Sequence, residues 1–559
     1  MGLLHRYIFR ELLRTFILAA VAMTALMALA GGIFTIVKQE GVGPAELLIF
    51  FGYLTFSFLI FTLPIAALFA ATIVFGRMAA DNELTACRAA GINIHRLFRP
   101  GLLLALGVTA ITTVFVNYTY PWLMERMERV GKRNLRAIAE HRLRTSGVFR
   151  IRTQFFVGSN QVAGDFEPAA LRARGWPDTS EYLVVTQPVI LQLDNAGQPV
   201  RLVTAEAGVC QFDTGHDPIT VSVSVFNGRD CAPGEHHVGR LEQQTLGPID
   251  ISGYLPFRTK PSQLDLHTLV VDYFRPWEFS EVRDGVEKFR GLLLRQRFEQ
   301  ESAARIAAHE PIVLPDAAGF DWSVRAGQCV YDTPEKMTLL DVRIERGLND
   351  PAQASRFDAP RAVLSLSRAP DPNDPNDVPL QCVLTGTTTQ PVRASNPQSR
   401  RFGSAREDKD VSLPGAMRAP PEMVAAVRDY TPQELLQPQF DLQLTAPELK
   451  EARAKLIVAA AKLHRVIVSL LHFRFGFAAC SLVIVLMGAA LGVMFRGGRV
   501  LSAFGLASIP AGFVFMLMVI GRQVGERQGG EIAGAAIIWG GLAAMAIANG
   551  VLLRAGVAR

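Results

Sequence analysis

Apolar residues are concentrated at the two ends of this chain, whereas its long middle is polar. The ends contain six charge-free apolar runs, and each has the roughly 20 residues that a helix needs to cross the hydrocarbon core of a bilayer. The pattern therefore predicts six transmembrane helices, three before the polar middle and three after it. The predicted spans are residues 15–37, 47–76, 100–124, 475–495, 500–521 and 532–553.

The first part of the polar middle has the pattern of β-strands. Residues 219–225 alternate strictly between apolar and polar positions, which is typical of a strand with one buried and one wet face. Residues 183–185 and 189–193 are also strand-like, and turn signals follow at residues 195–197 and at Asn227-Gly228. Short strands separated by turns predict a sandwich or an open roll.

The later part of the middle has a mixed pattern. Residues 281–308 predict one amphipathic helix, and strand-like runs return at 324–330, 338–344 and 362–366. Residues 368–379 and 395–421 are rich in proline and polar residues, which predicts loops or linkers. A helical pattern from residue 446 to 471 continues into the fourth span, so we expect it to couple the middle domain rigidly to the membrane part.

The distribution of Lys and Arg gives the spans a direction, because cytoplasmic flanks are enriched in these residues. The flanks at 1–14, 77–99, 496–499 and 554–559 carry eleven arginines, and the opposite short flanks carry Lys38, Arg522 and Arg527. We therefore expect both termini and the 77–99 loop in the cytoplasm and the middle domain outside. This predicts a multi-pass membrane protein whose middle domain lies on the outer side of the membrane.

Composition and motifs exclude several classes of function. The net charge of +6 comes without the Lys/Arg runs typical of nucleic-acid binding, so we expect no nucleic-acid partner. There is no phosphate loop, zinc-protease motif or nucleophile elbow, which predicts a non-catalytic chain without a cofactor. His236-His237 lacks further ligands at zinc-site spacing, so no metal site is expected. Cys210, Cys231, Cys329 and Cys382 could form up to two disulfides or remain buried free thiols.

The loop at residues 76–91 (GRMAADNELTACRAAG) predicts a short helix, 79–91, on the cytoplasmic membrane surface. Asp81 is the expected N-cap, Glu83 lies in the first turn where the helix dipole favours an acid, and Gly91 suits the C-terminal end. The helix could be a passive connector. Alternatively, it is a docking helix for a partner that lacks a membrane anchor.

At this loop the sequence resembles the LptF/LptG permeases, the transmembrane subunits of the lipopolysaccharide-export ABC transporter. The resemblance extends to residues 96–100 (RLFRP), 4–11 (LHRYIFRE), 463–465 (LHR), 474–477 (RFGF) and the small residues from Gly488 to Gly492. Three spans, a periplasmic β-jellyroll and three further spans follow in the family's order. The resemblance covers about 1–260 and 442–553, and the segment at about 260–440 resembles an insertion, because family members are usually shorter.

The resemblance implies a location in the bacterial inner membrane with a periplasmic domain, a domain division and a mechanism. The domains are an N-terminal membrane half (1–124), a periplasmic jellyroll-like domain with the insertion (125–445), and a connecting helix with the C-terminal membrane half (446–559). A cytoplasmic LptB-like ABC ATPase would grip the coupling helix, and a second permease of the family would complete a cavity for lipopolysaccharide or a similar anionic glycolipid. A periplasmic LptC/LptA-like bridge protein would receive the lipid. The expected ATPase-coupling residues are Asp81, Glu83, Leu84 and Arg88.

Anionic headgroups imply cations at the outer end of the spans. Lys38 occupies the place of a lysine that the family uses in this way, and Lys132, Arg133 and Arg136 could assist or could simply anchor the chain at the interface. Two other functions stay open. The chain could transmit force to a periplasmic partner without carrying lipid, or it could be a sensor or scaffold with a ligand-binding outer domain.

Overall fold

The computed structural model divides the chain into two compact units, Met1–Phe274 with Lys462–Arg559, and Arg275–Ala461. The structure describes residues 2–38, 44–133, 135–152, 155–159, 161–162, 181–193, 198–213, 219–231, 238–250, 260–315, 321–333, 336–346, 355–366, 378, 380–386, 392–395, 410–413, 417–444, 446–495 and 500–558. Within these ranges some side chains, including those of Lys38, Lys132 and Arg133, lie outside the description.

The six predicted membrane helices are confirmed, and all of them are longer than the apolar runs that predicted them. In the first half, α1 (Leu3–Lys38) and α2 (Pro44–Ala80) are followed by the short α3 (Glu83–Ala89). The third span begins at Ile94 rather than at residue 100. It consists of α4 (Ile94–Val114), a π-helical turn (Phe115–Thr119) and α5 (Tyr120–Arg133), after which α6 (Leu135–Ser146) leads to the first sheet.

The second membrane half contains α11 (Pro447–Met494), α12 (Val500–Gly525) and α13 (Glu531–Ala558). The continuous helix predicted from residue 446 into the fourth span is therefore confirmed as α11, which begins in the second unit and ends in the first. Small residues bring α11 against α2. A Cβ added at Gly488 would lie 2.8 Å from the Leu68 carbonyl oxygen, and one at Gly492 would lie 2.7 Å from the Thr72 carbonyl oxygen. Gly488 and Gly492 therefore form a close helix contact, and larger side chains would separate the two backbones.

The first sheet has eight antiparallel strands and belongs to the same unit as the membrane helices. Strands β6 and β7 pair along the whole of β7, and the other edge of β6 is shared by β5 and then β4. This split curls the sheet around an apolar core that includes Val157, Val185, Val203 and Phe212. The strands are β1 (Val148–Arg152), β2 (Phe155–Gly158), β3 (Gln161–Val162), β4 (Glu181–Thr186), β5 (Val189–Leu193), β6 (Pro199–Asp213), β7 (Thr220–Cys231) and β8 (Val238–Asp250).

Asn227 and Gly228 do not form the turn that the sequence predicted, since they lie inside β7. Asn227 has φ +50°, a left-handed conformation that Asn tolerates better than most residues. Before this residue the odd-numbered Val221, Val223 and Val225 are buried. Opposite it, β6 changes from burying Val203 to burying even-numbered residues such as Phe212. We call such a position a pleat-reset residue, because the buried set shifts by one residue there.

The second unit contains a helix and a second eight-stranded antiparallel sheet. The predicted helix at 281–308 is confirmed as α8 (Ser280–Ala307), preceded by α7 (Leu266–Phe274) in the first unit. After the sheet come α9 (Pro421–Arg428), α10 (Pro432–Leu436) and the first part of α11. The strands are β9 (Ile312–Pro315), β10 (Asp321–Arg325), β11 (Gln328–Thr333), β12 (Lys336–Arg346), β13 (Ser355–Leu366), β14 (Leu380–Thr385), β15 (Arg393–Ser395) and β16 (Asp410–Leu413).

Two predictions in this region need correction. The single strand expected at 324–330 is two strands, β10 and β11, which pair with different halves of β12. The polar stretch 395–421, expected to be a linker, contains β16, paired with β14. Local composition favoured a loop there, but pairing with an apolar strand whose Leu384 is fully buried overrides it. The predicted loop at 368–379 lies outside the described residues except for Val378.

The second sheet also has a pleat-reset residue, Asp341 in β12, with φ +51°. Met337 and Leu339 are buried before it, and Val342 and Ile344 are buried after it. At the same point the outer partner of β12 changes from β11 to β10. The two sheets therefore curl by the same device.

The cysteines of the middle region are free thiols wherever their side chains are described, namely at Cys210, Cys329 and Cys382. Two disulfides would need all four cysteines, so that alternative is wrong. The side chain of Cys231 and the residues His236-His237 lie outside the described part. Burial raises the pKa of both Cys210 and Cys382 to about 12, so these two thiols stay protonated and packed.

Candidate functional site

The short helix α3 (Glu83–Ala89) lies between the second and third spans and is shorter than the predicted 79–91. Residues up to Ala80 continue α2, so Asp81 lies in a turn and is not the N-cap. Asn82 takes that position in a left-handed conformation, φ +58°, and its side chain makes no capping bond. Glu83 is in the first turn, as predicted, where its charge complements the helix dipole.

The C-terminal end of α3 is closed by the backbone. The N–H of Gly91 donates to the Arg88 carbonyl, and the N–H of Ile92 donates to the Cys87 carbonyl. Gly91 has φ +76°, so the pair of bonds forms a Schellman motif. Gly91 was predicted at this end, and the motif gives α3 a fixed last turn.

Leu84 holds α3 against the membrane helices. It is 5% exposed and belongs to the core formed by α1, α2, α4 and α11, with Cys87 and Ile92 packed at its margin. Burying a leucine side chain contributes about 2–3 kcal/mol. Leu84 was predicted among the residues that contact a partner, but its buried side chain is positioned to fix the helix instead.

Two polar contacts hold the helices that flank α3. Arg77, near the end of α2, forms an ion pair with Glu11 of α1 (Nη1 to Oε1 3.0 Å). His5 of α1 donates from Nε2 to the carbonyl oxygen of Arg96 in α4 (3.0 Å). Sequence analysis missed both contacts, because each joins residues more than 60 positions apart and neither pair shares a motif.

The outer surface of α3 is exposed. Asp81, Thr85, Arg88 and Ala89 are exposed, and Glu83 is half-exposed. Three of the four predicted coupling residues are thus accessible, Asp81 in the turn before α3 and Glu83 and Arg88 on the helix itself. A rigid helix with charges on one side and a buried leucine on the other can dock a protein and pass its movement to the spans beneath.

The predicted lipid-binding cations are not brought together by the described structure. Lys38 is the last residue of α1, but its side chain lies outside the described residues, as do those of Lys132 and Arg133. Arg136 is half-buried on α6 and already has an interaction partner. Their role stays a prediction.

Arg474 is a structural residue whose importance the sequence did not reveal. It lies in α11, only 2% exposed, and its Nη2 donates to the carbonyl oxygens of Ser262 (3.1 Å) and Leu264 (2.7 Å). Nearby, the ring of Tyr273 stacks on His464 with centroids 3.9 Å apart. These contacts fix the segment from residue 262 to 273 along α11. A buried arginine that saturates two backbone carbonyls is costly to remove.

Together, the six candidate membrane helices of the described residues and the inserted β-rich region define a multi-pass membrane protein. The family model described as lipopolysaccharide export system permease LptF/LptG matches residues 6–220, which confirms the family predicted from the sequence. The matched range covers the first three spans, α3 and the first sheet as far as the first residue of β7. A comparison with curated proteins finds no match.

Proposed function

We propose that this chain is the permease subunit of an ABC transporter that extracts lipopolysaccharide or a similar anionic glycolipid from the inner membrane. The family is one of export permeases, which generally have no catalytic activity of their own. We expect ATP hydrolysis in a cytoplasmic LptB-like partner. A second permease of the family would complete the lipid cavity, and a periplasmic LptC/LptA-like protein would accept the lipid.

The observation that supports this proposal best is the construction of α3. Arg88 on the helix and Asp81 in the turn before it are exposed and Glu83 is half-exposed, while Leu84 is buried in a core shared with four membrane helices. An ATPase that grips the exposed side therefore acts on α1, α2, α4 and α11 together. A passive connector would need neither the buried leucine nor the closed C-terminal motif.

The proposal includes a direction in the membrane. The arginine-rich flanks favour a cytoplasmic position for both termini and α3, and we propose that the β-rich region lies in the periplasm. In this arrangement Lys38 is at the outer end of α1, where it would meet an anionic headgroup, with Lys132, Arg133 and Arg136 beyond the third span.

Co-purification from native membranes tests the coupling step. We expect a cytoplasmic ABC ATPase to accompany the wild-type chain and Glu83→Arg to reduce its yield at least tenfold, because a reversed charge in a docking groove costs about 2 kcal/mol or more. Glu422→Arg is the matched control, since Glu422 is an exposed acid in the first turn of α9 in the second unit. An ATPase that stays bound to Glu83→Arg, or none bound to the wild type, contradicts the proposal.

Lipid crosslinking separates export from force transmission alone. A photo-crosslinking amino acid in place of Val37 should capture glycolipid in at least one nucleotide state of the complex. Lys38→Glu should lower the yield of this adduct. If no nucleotide state gives a lipid adduct while the ATPase remains bound, the chain transmits force without carrying lipid.

A further inference from the structure

The outer face of the second sheet carries a row of arginines across four neighbouring strands. Arg325 of β10 pairs in register with Arg343 of β12, Arg343 with Asp358 of β13, and Asp358 with Arg393 of β15. In the adjacent row, Arg356 lies opposite Glu345. Residues directly paired across antiparallel strands point to the same face, so these side chains form one surface. We call it the arginine patch.

The like charges of the arginine patch lower the stability of the second sheet. Arg325 and Arg343 are direct partners on neighbouring strands, and like charges in such a pair are destabilising. Four arginines meet only two acids, Glu345 and Asp358, which leaves a net charge of +2 on a small area. A sheet face selected for stability alone would alternate positive and negative side chains on neighbouring strands.

Asp358 orients the arginines and does not neutralise them fully. Its Oδ1 accepts from Nε of Arg343 (2.9 Å), and its Oδ2 accepts from Nε of Arg356 (3.0 Å). Arg343 is thereby held through its inner nitrogen, and its terminal nitrogens make no contact with another side chain in the described part of the chain. Arg325 and Arg393 are exposed, with no ion pair to any described residue.

The geometry favours a ligand with phosphate groups. Fixed guanidinium forks bind phosphate oxygens in pairs. Neighbouring strands are about 4.8 Å apart, so Arg343 and Arg393, two strands apart, are separated by about 10 Å. An acidic peptide fits less well, because the patch crosses strands whose backbone groups are already paired and cannot accept another strand.

We propose that the arginine patch of the second sheet binds a ligand that carries two or more phosphate groups, either a phosphorylated lipid headgroup or a soluble polyphosphate. The patch lies outside residues 6–220, the range matched by the permease family model, and shares no residue with the proposed coupling helix. Asp358 is a positioning residue for Arg343 and Arg356.

Calorimetry on the full chain in phosphatidylcholine nanodiscs tests the proposal, with inorganic triphosphate as the soluble probe. A second arm measures binding to vesicles of phosphatidylcholine with a tenth of phosphatidylinositol bisphosphate. We expect binding in at least one arm, and Arg325→Glu with Arg343→Glu should weaken it about tenfold or more. The arm that binds more tightly identifies the source of the phosphates.

The control is Arg305→Glu with Lys455→Glu, which makes the same charge change on exposed helical positions of the second unit. This control should change the affinity less than twofold. If the double variant of the patch does not fold, Arg325→Glu alone should still weaken binding, since Arg325 has no ion pair with a described residue to lose. Equal binding by wild type and patch variants, equal losses in the control, or tighter binding of poly-glutamate than of either phosphate probe overturns the proposal.

Discussion

The two β-sheets of this protein share one plan but differ in what they present to solvent. Each has a pair of long antiparallel strands, β6 with β7 and β12 with β13, and one strand of each pair carries a pleat-reset residue where the outer partner of β6 or of β12 changes. In the first sheet this residue is Asn227, opposite Glu206, and in the second it is Asp341, opposite Pro360. The segment that resembled an insertion therefore contains a second sheet that shares this strand plan.

The difference between the sheets lies on their outer faces. Beside its pleat-reset residue the first sheet has a local contact, in which Nδ2 of Asn227 donates to Oε2 of Glu206 (3.1 Å). The second sheet has the arginine patch. Both sheets curl in the same way although their solvent-facing residues differ. The buried residues and the strand order therefore determine the curl, and the solvent-facing residues determine what each sheet can bind.

The largest expected effect comes from truncating one buried leucine in each sheet. These two matched variants test whether the two sheets unfold independently. Leu183 in the first sheet is 2% exposed and Leu339 in the second is fully buried. Leu183→Ala and Leu339→Ala should each cost about 2–5 kcal/mol, the usual cost of a cavity left by a buried leucine. Hydrogen exchange on the full chain should show faster exchange only in the sheet that carries the substitution. Equal acceleration in both sheets from either change would mean that they unfold as one unit.

Substitution of the pleat-reset residues tests the shared plan, with a smaller effect. Asn227→Val and Asp341→Val should each destabilise their own sheet by about 1–2 kcal/mol, because a β-branched residue is strained at positive φ. Asn227→Gly and Asp341→Gly are the controls and should be close to neutral, since glycine adopts this conformation freely. The measurement is denaturant unfolding followed by hydrogen exchange of β7 and β12. A valine that costs no more than glycine at either site would show that the positive φ is not required there.

The sequence predicted the elements that depend on periodicity and missed those that depend on distant pairing. Long apolar runs predicted six spans, and α8 and α11 followed from helical patterns, because these signals are local. Asn227-Gly228 predicted a turn, since a positive φ is usually found there, and only the pairing with β6 and β8 shows that it resets a strand.

The candidate site was predicted in part for the same reason. Glu83 and Gly91 have the positions expected from local helix signals. The N-cap is Asn82 and not Asp81, because α2 extends to Ala80. The burial of Leu84 depends on α1, α4 and α11, which no local pattern includes. The arginine patch was missed because its members are spread from residue 325 to 393 and meet only through strand register.

The smallest expected effect is the pH dependence of stability that comes from Asp358 in the second sheet. The hydrogen bond between Asn227 and Glu206 in the first sheet includes no such carboxylate–arginine ion pair. Partial burial alone raises the pKa of Asp358, but hydrogen bonds and positive charge from Arg343 and Arg356 outweigh it, so the pKa lies below its usual value of 3.8. A carboxyl whose pKa is lowered by folding stabilises the folded state above its unfolded pKa, and that contribution is lost as the pH falls through the folded pKa. Since the side chain is 40% exposed, the contribution should be below about 1 kcal/mol.

Asp358→Asn should therefore lower the stability of the second sheet at pH 7, and the difference from wild type should shrink as the pH falls below about 4. Hydrogen exchange of β12 and β13 between pH 3 and 7, corrected for the intrinsic exchange rate, measures this difference, and β6 and β7 serve as the internal reference that should not change. Arg343→Gln should show the same pH dependence, because it removes one of the two partners that lower the pKa of Asp358. A difference that stays constant across this range would mean that Asp358 acts through packing and not through its charge, and the arginine patch would then lose its positioning residue.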